Sequence, residues 1–335
     1  MKLNRNINKT RHNEFSSLRL FVSAVFIFSV SFFFIFFSQN ATADSADKNI
    51  LIVFQKSHGF RQQLIDQLQT DLSHYNYRIS NLELGASEKI SPQNLSTISK
   101  QQLLISIGSQ TTKILLEAKI DTPILSALIP RHISKSLKKA HANKNNWSCL
   151  LIDQPFDRQF NLISAVLGKN QDTGVLLGPY TADLQKTLKK ISTKTSHKIN
   201  FEKVKDSDQL SSSLKKINRS SDVLLTLPDP SIYNKGTLRG ILLSAYRNKL
   251  PIIGFSKAYV NAGAIAAVYS EPKQISKQIT QITKNYFIRR SFKKDNYYPD
   301  EFSVALNKNI AHSLGIKLST NETIVKQIKK AEAKK

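Results

Sequence analysis

Residues 221–272 read SDVLLTLPDPSIYNKGTLRGILLSAYRNKLPIIGFSKAYVNAGAIAAVYSEP, and the order of patterns within them decides the fold. Val223–Leu227 is a continuous apolar run that Pro228-Asp229-Pro230 stops. Leu238, Leu242 and Tyr246 then recur at helical spacing, and Ile252–Phe255 is apolar again. Apolar runs that do not alternate are what strands covered on both faces require. Strand, loop, helix, strand is the unit of parallel α/β architecture. In such sheets ligands sit where loops leave the carboxyl ends of strands, so those loops are the first place to look for a site.

The same grammar extends outward. Further apolar runs stand at Ile50–Phe54, Leu103–Ile107, Ile124–Ile129 and Val175–Leu177, each followed by turn or polar residues, and Tyr77–Leu82 reads as one more strand. Helical repeats fill the gaps: Phe60, Leu64, Leu68, Leu72; Leu184, Leu188, Ile191; Leu210, Leu214, Ile217; Ile275, Ile279, Ile282. The pattern runs twice. One β-α set covers about 48–141, the polar stretch Ala142–Ser148 interrupts, and a second set begins near Cys149. The expectation is α/β: two doubly wound, Rossmann-like lobes with a ligand cleft between them.

Charge and the first residues bound the setting. Lys and Arg number 49 against 24 Asp and Glu, a formal +25. The cations form small scattered clusters such as Lys138-Lys139, Lys189-Lys190 and Lys293-Lys294, with no aromatic or Gly-rich motif among them. That argues against nucleic acid and for a solvated basic surface, one that anionic lipid headgroups would attract. Lys2, Arg5, Lys9, Arg11 and Arg19 form a basic leader, Leu20–Phe37 carries no charge, and Ala41-Thr42-Ala43 suits signal peptidase. Residues 1–43 therefore read as a signal peptide or, since the run is near the ~18-residue lower limit for a span, a retained anchor touching the membrane through residues 20–37. Either way the leader stays inside and the remainder is exported. Cleavage after Ala43 removes five positive charges and one negative, leaving +21. The lone Cys149 excludes an internal disulfide and reads as a small buried hydrophobe.

Catalysis finds no positive evidence. Seven histidines are dispersed, there is one Cys, and no H-E-x-x-H, C-x-x-C, G-x-S-x-G, Walker or Rossmann glycine pattern occurs. No metal or cofactor is expected, and the chain is not read as an enzyme.

Four segments carry a resemblance. Ile105-Ser106-Ile107-Gly108-Ser109-Gln110-Thr111-Thr112, Asp121-Thr122-Pro123-Ile124, Asn261-Ala262-Gly263-Ala264-Ile265-Ala266, and Phe302–Asn307 with Ala311–Ile316 are similar, in order, to segments of the periplasmic substrate-binding proteins of ABC transporters. The likeness is to the type I group that includes aromatic amino-acid binders. Thr111-Thr112 stands where that family commonly has Ala-Ala, and Pro130-Arg131 where it commonly has Asp-Pro. The resemblance implies one lobe over 48–148 with about 263–300, the other over 149–262 with about 301–320, and a basic tail at 321–335. It also implies the periplasm or the outer face of a bacterial inner membrane as location, an inner-membrane ABC permease as partner, and a small molecule as ligand, an amino acid being the family's suggestion.

The candidate ligand-binding residues all follow strands. Ser109, Gln110 and Thr111 precede a helix whose free N–H groups suit an anion, with ordinary N-capping the alternative. Asp229, held between two prolines, is placed to pair with an ammonium or to close its own turn. Tyr180 follows Gly178-Pro179, Arg131 suits an anionic group, and Ser57, His58 and Ser256 complete the set. The function that follows is an exported solute-binding component of an ABC-type transport system. The alternative is a membrane-tethered sensor or interaction subunit of the same fold with no transported ligand.

Overall fold

The computed structural model describes residues 48–56, 58–85 and 90–334. The leader at 1–43, its anchor reading and Ser57 lie outside the described residues. Among the described residues no helix is long and apolar enough to cross a membrane.

Two six-stranded sheets form. The first has the order β2-β1-β3-β4-β5-β11, with β1 Lys48–Gln55, β2 Tyr77–Leu84, β3 Leu103–Ile107, β4 Ile124–Ile129, β5 Trp147–Leu151 and β11 Asn296–Tyr297. The second has β7-β6-β8-β9-β10-β12, with β6 Thr173–Leu177, β7 Ile199–Lys203, β8 Val223–Leu225, β9 Ile252–Gly254, β10 Ala266–Tyr269 and β12 Ser303–Leu306. The two orders are the same pattern repeated, the doubly wound arrangement expected from the repeated β-α grammar. They differ at the last strand, since β11 runs parallel to β5 while β12 runs antiparallel to β10.

Both faces of each sheet are covered, as the continuous apolar runs require. In lobe 1, Ile50, Ile52, Leu103 and Ile105 pack on one face under α1 (Phe60–Ser73) and α10 (Pro272–Arg289), whose Leu64, Leu68, Ile275 and Ile279 are buried with them. Leu51, Val53, Leu104, Ile124, Trp147, Cys149 and Leu151 fill the other face under α3 (Ser109–Glu117), with α2 (Pro92–Ser99) adding Ile98. In lobe 2, α5 (Phe156–Leu167), α6 (Leu184–Ser192) and α12 (Asn321–Glu332) cover one face. There α11 (Lys308–Ser313) adds Ile310. The other face lies under α7 (Ser207–Ser220), α8 (Leu238–Arg247) and α9 (Lys257–Ala262). Burial pushes the Cys149 thiol up to about 11, so it stays protonated in the lobe 1 core.

The chain crosses between lobes three times, and the boundaries differ from those read off the sequence. The first crossing follows Leu151, because Trp147–Leu151 is a fully buried strand paired with β4; the polar stretch before it is only the loop from α4 (Arg131–Ala140). The second lies at Ser270-Glu271, since Ala266–Tyr269 pairs with β9 and β12 inside lobe 2. The third is 298–302, between β11 and β12. The expected basic tail is a helix from Asn321, because Ile324 and Ile328, one turn apart, are buried in the lobe 2 core.

Candidate functional site

Strand ends from both lobes converge on a cavity of about 390 Å³, within the size range of small-molecule sites. Lobe 1 brings Arg131 and His132 after β4 and Asp153 after β5. Lobe 2 brings Pro179-Tyr180 after β6 and Leu227-Pro228 after β8. Phe156 and Gln159 of α5 close the side nearest the first crossing.

Arg131 is aimed by its backbone. The β4–β5 register shifts between Ala127 and Ile129, and Leu128 takes φ of +59°. A leucine in the left-handed region costs on the order of 1–3 kcal/mol, and the bulge turns the strand end so that Pro130-Arg131 starts α4 at the cavity wall. The guanidinium lies 4.2 Å over the Phe156 ring and 5.3 Å from that of Tyr298. Its Nε is buried with no hydrogen-bond partner. The Arg131 amide donates to Asp153 Oδ2 at 2.7 Å.

Asp153 is 9% exposed. Burial holds its carboxyl above the ordinary carboxylate range, against the pull of Arg131's charge and amide and of His132. Burial also holds the His132 imidazole below its ordinary value, against Asp153 and Asp229. Gln159 Nε2 donates to the Gln154 carbonyl at 3.2 Å, while its buried Oε1 has no partner. Two orphaned polar atoms, one donor and one acceptor, thus lie on residues lining one cavity. Buried polar groups ordinarily find partners, so both atoms depart from the rule.

Across the cavity the chemistry is the reverse. Asp229 is 1% exposed. Its Oδ2 accepts the Tyr180 amide at 3.1 Å and the Thr181 hydroxyl at 2.8 Å, and its Oδ1 accepts the Ser231 amide at 3.0 Å and hydroxyl at 2.5 Å. Four donors of its own chain saturate it, so it ties the β6 loop to the β8 loop. Gly178 makes the knot possible, because a Cβ there would sit 2.6 Å from Asp229 Oδ2. What this loop presents to the cleft is Tyr180, 49% exposed, its ring centroid 5.2 Å from that of His132. Lys135 and Asp183 form an ion pair beside it, also between lobes.

Of the candidates read from the sequence, Arg131 and Tyr180 line this cavity and Asp229 lies directly behind Tyr180. His58, Ser109, Gln110, Thr111 and Ser256 stand at strand ends but not in its lining. His58 and Gln110 are exposed, Ser109 and Ser256 half-buried, and Thr111 is buried at the start of α3. Thr112, where the resembled family has Ala, belongs to a buried chain: its hydroxyl meets the Gly108 carbonyl and Ser106 Oγ, which reaches Ser126 Oγ, which accepts the Trp147 indole N–H. Asp153, Gln159, His132 and Phe156 were not singled out by the sequence. The signal for Asp153 was available, an Asp two residues beyond an apolar strand. Among the described residues no group of three or more His, Cys, Asp or Glu is gathered to hold a metal ion.

Two doubly wound lobes, three crossings and a cavity at facing strand ends define a solute-binding protein of the type I periplasmic-binding fold. The chain belongs to the family of ABC transporter substrate binding proteins, which matches it over residues 50–331. No curated protein matches. Among solved structures it is similar to a conserved domain protein from Vibrio cholerae, at 22% identity over 84% of this chain and 98% of that one, with a TM-score of 0.55. It is also similar to an ABC domain from Streptococcus pneumonia in complex with L-Trp (19%, 84% and 98%, 0.54). A third is the ligand-free, open structure of a substrate binding protein with adhesive properties from Clostridium difficile (17%, 82% and 97%, 0.64). At these identities the likeness to solved structures is one of fold.

Proposed function

We propose that the protein is the exported solute receptor of an ABC-type transport system, capturing a small molecule between its lobes and presenting the closed form to an inner-membrane permease. The observation that carries this is the pair of unpartnered buried atoms, Arg131 Nε and Gln159 Oε1, on residues that line a cavity whose other walls are Phe156, Leu227, Pro179 and Tyr180. The ligand would offer an acceptor, such as a carboxylate, to Arg131 and a donor to Gln159 or Asp153, and would lay an apolar body on the remaining wall. An amino acid meets all three conditions, in line with the L-Trp bound by the Streptococcus protein. Binding is noncovalent: polar contacts already in place gain strength as closure removes water from the cleft. The leader at 1–43 would direct the chain out of the cytoplasm.

The test is thermal unfolding against a panel of amino acids, small anions and nucleobases. A ligand at a hundredfold its dissociation constant stabilises by about 2.7 kcal/mol, a shift of several degrees. A shift with one compound class, lost in Arg131→Ala, supports the receptor. No shift across the panel overturns it in favour of a tethered interaction subunit with an unused cleft.

A further inference from the structure

The three crossings do not pass each other as free strands. They are bound into one polar network whose centre is Arg158, in the first turn of α5 and only 5% exposed. Arg158 Nη1 donates to Gln154 Oε1 on the first crossing and to the Pro299 carbonyl on the third, both at 2.8 Å. Nη2 donates to the Asp300 carbonyl at 3.4 Å, again on the third crossing. Gln154 Nε2 in turn donates at 2.9 Å to Ser270 Oγ on the second crossing, and Ser270 Oγ donates at 2.7 Å to the Glu301 carbonyl on the third. The guanidinium carbon lies 4.3 Å over the ring of Phe302, where the third crossing ends.

The guanidinium is oriented from outside the crossings. Nε donates to Glu332 Oε1 at 2.7 Å and Nη2 to Oε2 at 3.3 Å, a bidentate pair with the last residue of α12. Such a fork fixes direction as well as distance. Closing or opening two lobes about a hinge concentrates φ/ψ changes in the crossing residues. Here one rigid, planar cation holds 154, 299 and 300, so rotation at the first or third crossing must break or remake bonds to it, and rotation at the second must break those of Ser270 to Gln154 and Glu301.

We propose that Arg158 is the positioning residue of the hinge and that the C-terminal helix, through Glu332, sets the balance between open and closed lobes. Its meaning for ligand capture rests on the receptor reading, whereas the hinge motion itself does not. A change at α12, 174 residues from Arg158 in sequence, would then alter affinity without touching the cleft, by changing the fraction of molecules in the competent state.

The experiment uses the full chain with spin labels at Lys56→Cys and Lys235→Cys. Both positions are exposed at the cleft ends of their lobes, and native Cys149 is buried. Interlobe distances are measured by pulsed electron resonance without ligand, so the result is readable even if no ligand is ever found. Glu332→Gln removes the charge at a partly exposed position and keeps the fold; Arg158→Lys removes the fork while keeping the charge. The expected result is a broadened distribution shifted to longer distance in both, larger for Arg158→Lys. Distributions equal to the parent's in both variants overturn the proposal, and so does a lowered melting temperature with unchanged distances, which would make the network structural only.

Discussion

Two buried aspartates follow strands on opposite sides of the cleft, Asp153 lining it and Asp229 behind Tyr180, and the structure uses them in opposite ways. Asp229 of lobe 2 accepts four hydrogen bonds from its own chain. Asp153 of lobe 1 accepts the Arg131 amide, beside a guanidinium whose Nε is unpartnered. A buried carboxylate costs free energy unless its lone pairs are engaged. Asp229 meets that requirement internally and shapes the loop. Asp153 meets it only in part and stays above the ordinary carboxylate range. Type and position in the chain are alike; the number of donors separates scaffold from site.

The largest effect is expected from breaking the saturated side. Asp229→Ala leaves the Tyr180 and Ser231 amides and two hydroxyls without their acceptor, at a cost of about 3–5 kcal/mol. The melting temperature should fall on the order of ten degrees. Gly178→Ala attacks the same knot sterically and should destabilise comparably. If either variant melts with the parent, the knot does not hold the loop.

Asp153→Asn should change stability by under ~1 kcal/mol, since the ionised carboxyl is not well satisfied in the folded state. It should nevertheless abolish the ligand-induced thermal shift. Retention of that shift would remove Asp153 from the site.

The comparison sharpens with pH, where the lobes should respond with opposite signs. His197 of lobe 2 is buried, with Nε2 2.7 Å from Ser164 Oγ and Nδ1 3.3 Å from the Gln171 carbonyl, and burial holds it below its ordinary value against that carbonyl's pull. The unfolded chain therefore takes up a proton first, near pH 6.5, and stability is lost as pH falls below that. Asp153 is the reverse: its raised value lets the folded state take up the proton first, so its contribution rises as pH falls toward the unfolded carboxylate value. Unfolding free energies of His197→Gln and Asp153→Asn against pH should each lose one of these slopes. A parent profile unaltered in His197→Gln would show that His197 does not titrate between states.

The smallest effect belongs to the ion pair of Lys135 and Asp183 between the lobes. Both side chains are well exposed, so Lys135→Ala should cost under ~1 kcal/mol and less as salt increases. A larger, salt-independent loss would mean that the pair is desolvated by closure.

Much of the fold was legible because burial on both faces writes itself into composition. Ile50–Phe54, Leu103–Ile107 and Ile124–Ile129 could be read as strands from their continuity, and α1 and α10 from their leucine and isoleucine spacing. Short or mixed elements were not legible. Ile199–Lys203 (INFEK) is an edge strand with no fully buried residue, and Trp147–Leu151 hides its strand character behind Ser148 and a polar approach. The bulge at Leu128 left no mark, since nothing about leucine announces a positive φ.

What the sequence determined by itself is the class of architecture: repeated β-α units whose apolar runs must be covered on both faces demand a parallel α/β fold, and the pattern running twice points to two doubly wound lobes. It also placed candidate polar residues at strand ends. Which of them face the cleft, the tertiary structure alone decided. That choice depends on how many donors converge on each carboxylate from segments distant in the chain, as Tyr180 and Thr181 do on Asp229. It depends equally on where three crossings meet around Arg158. Convergence of that kind follows from packing in three dimensions, and local sequence patterns do not encode it.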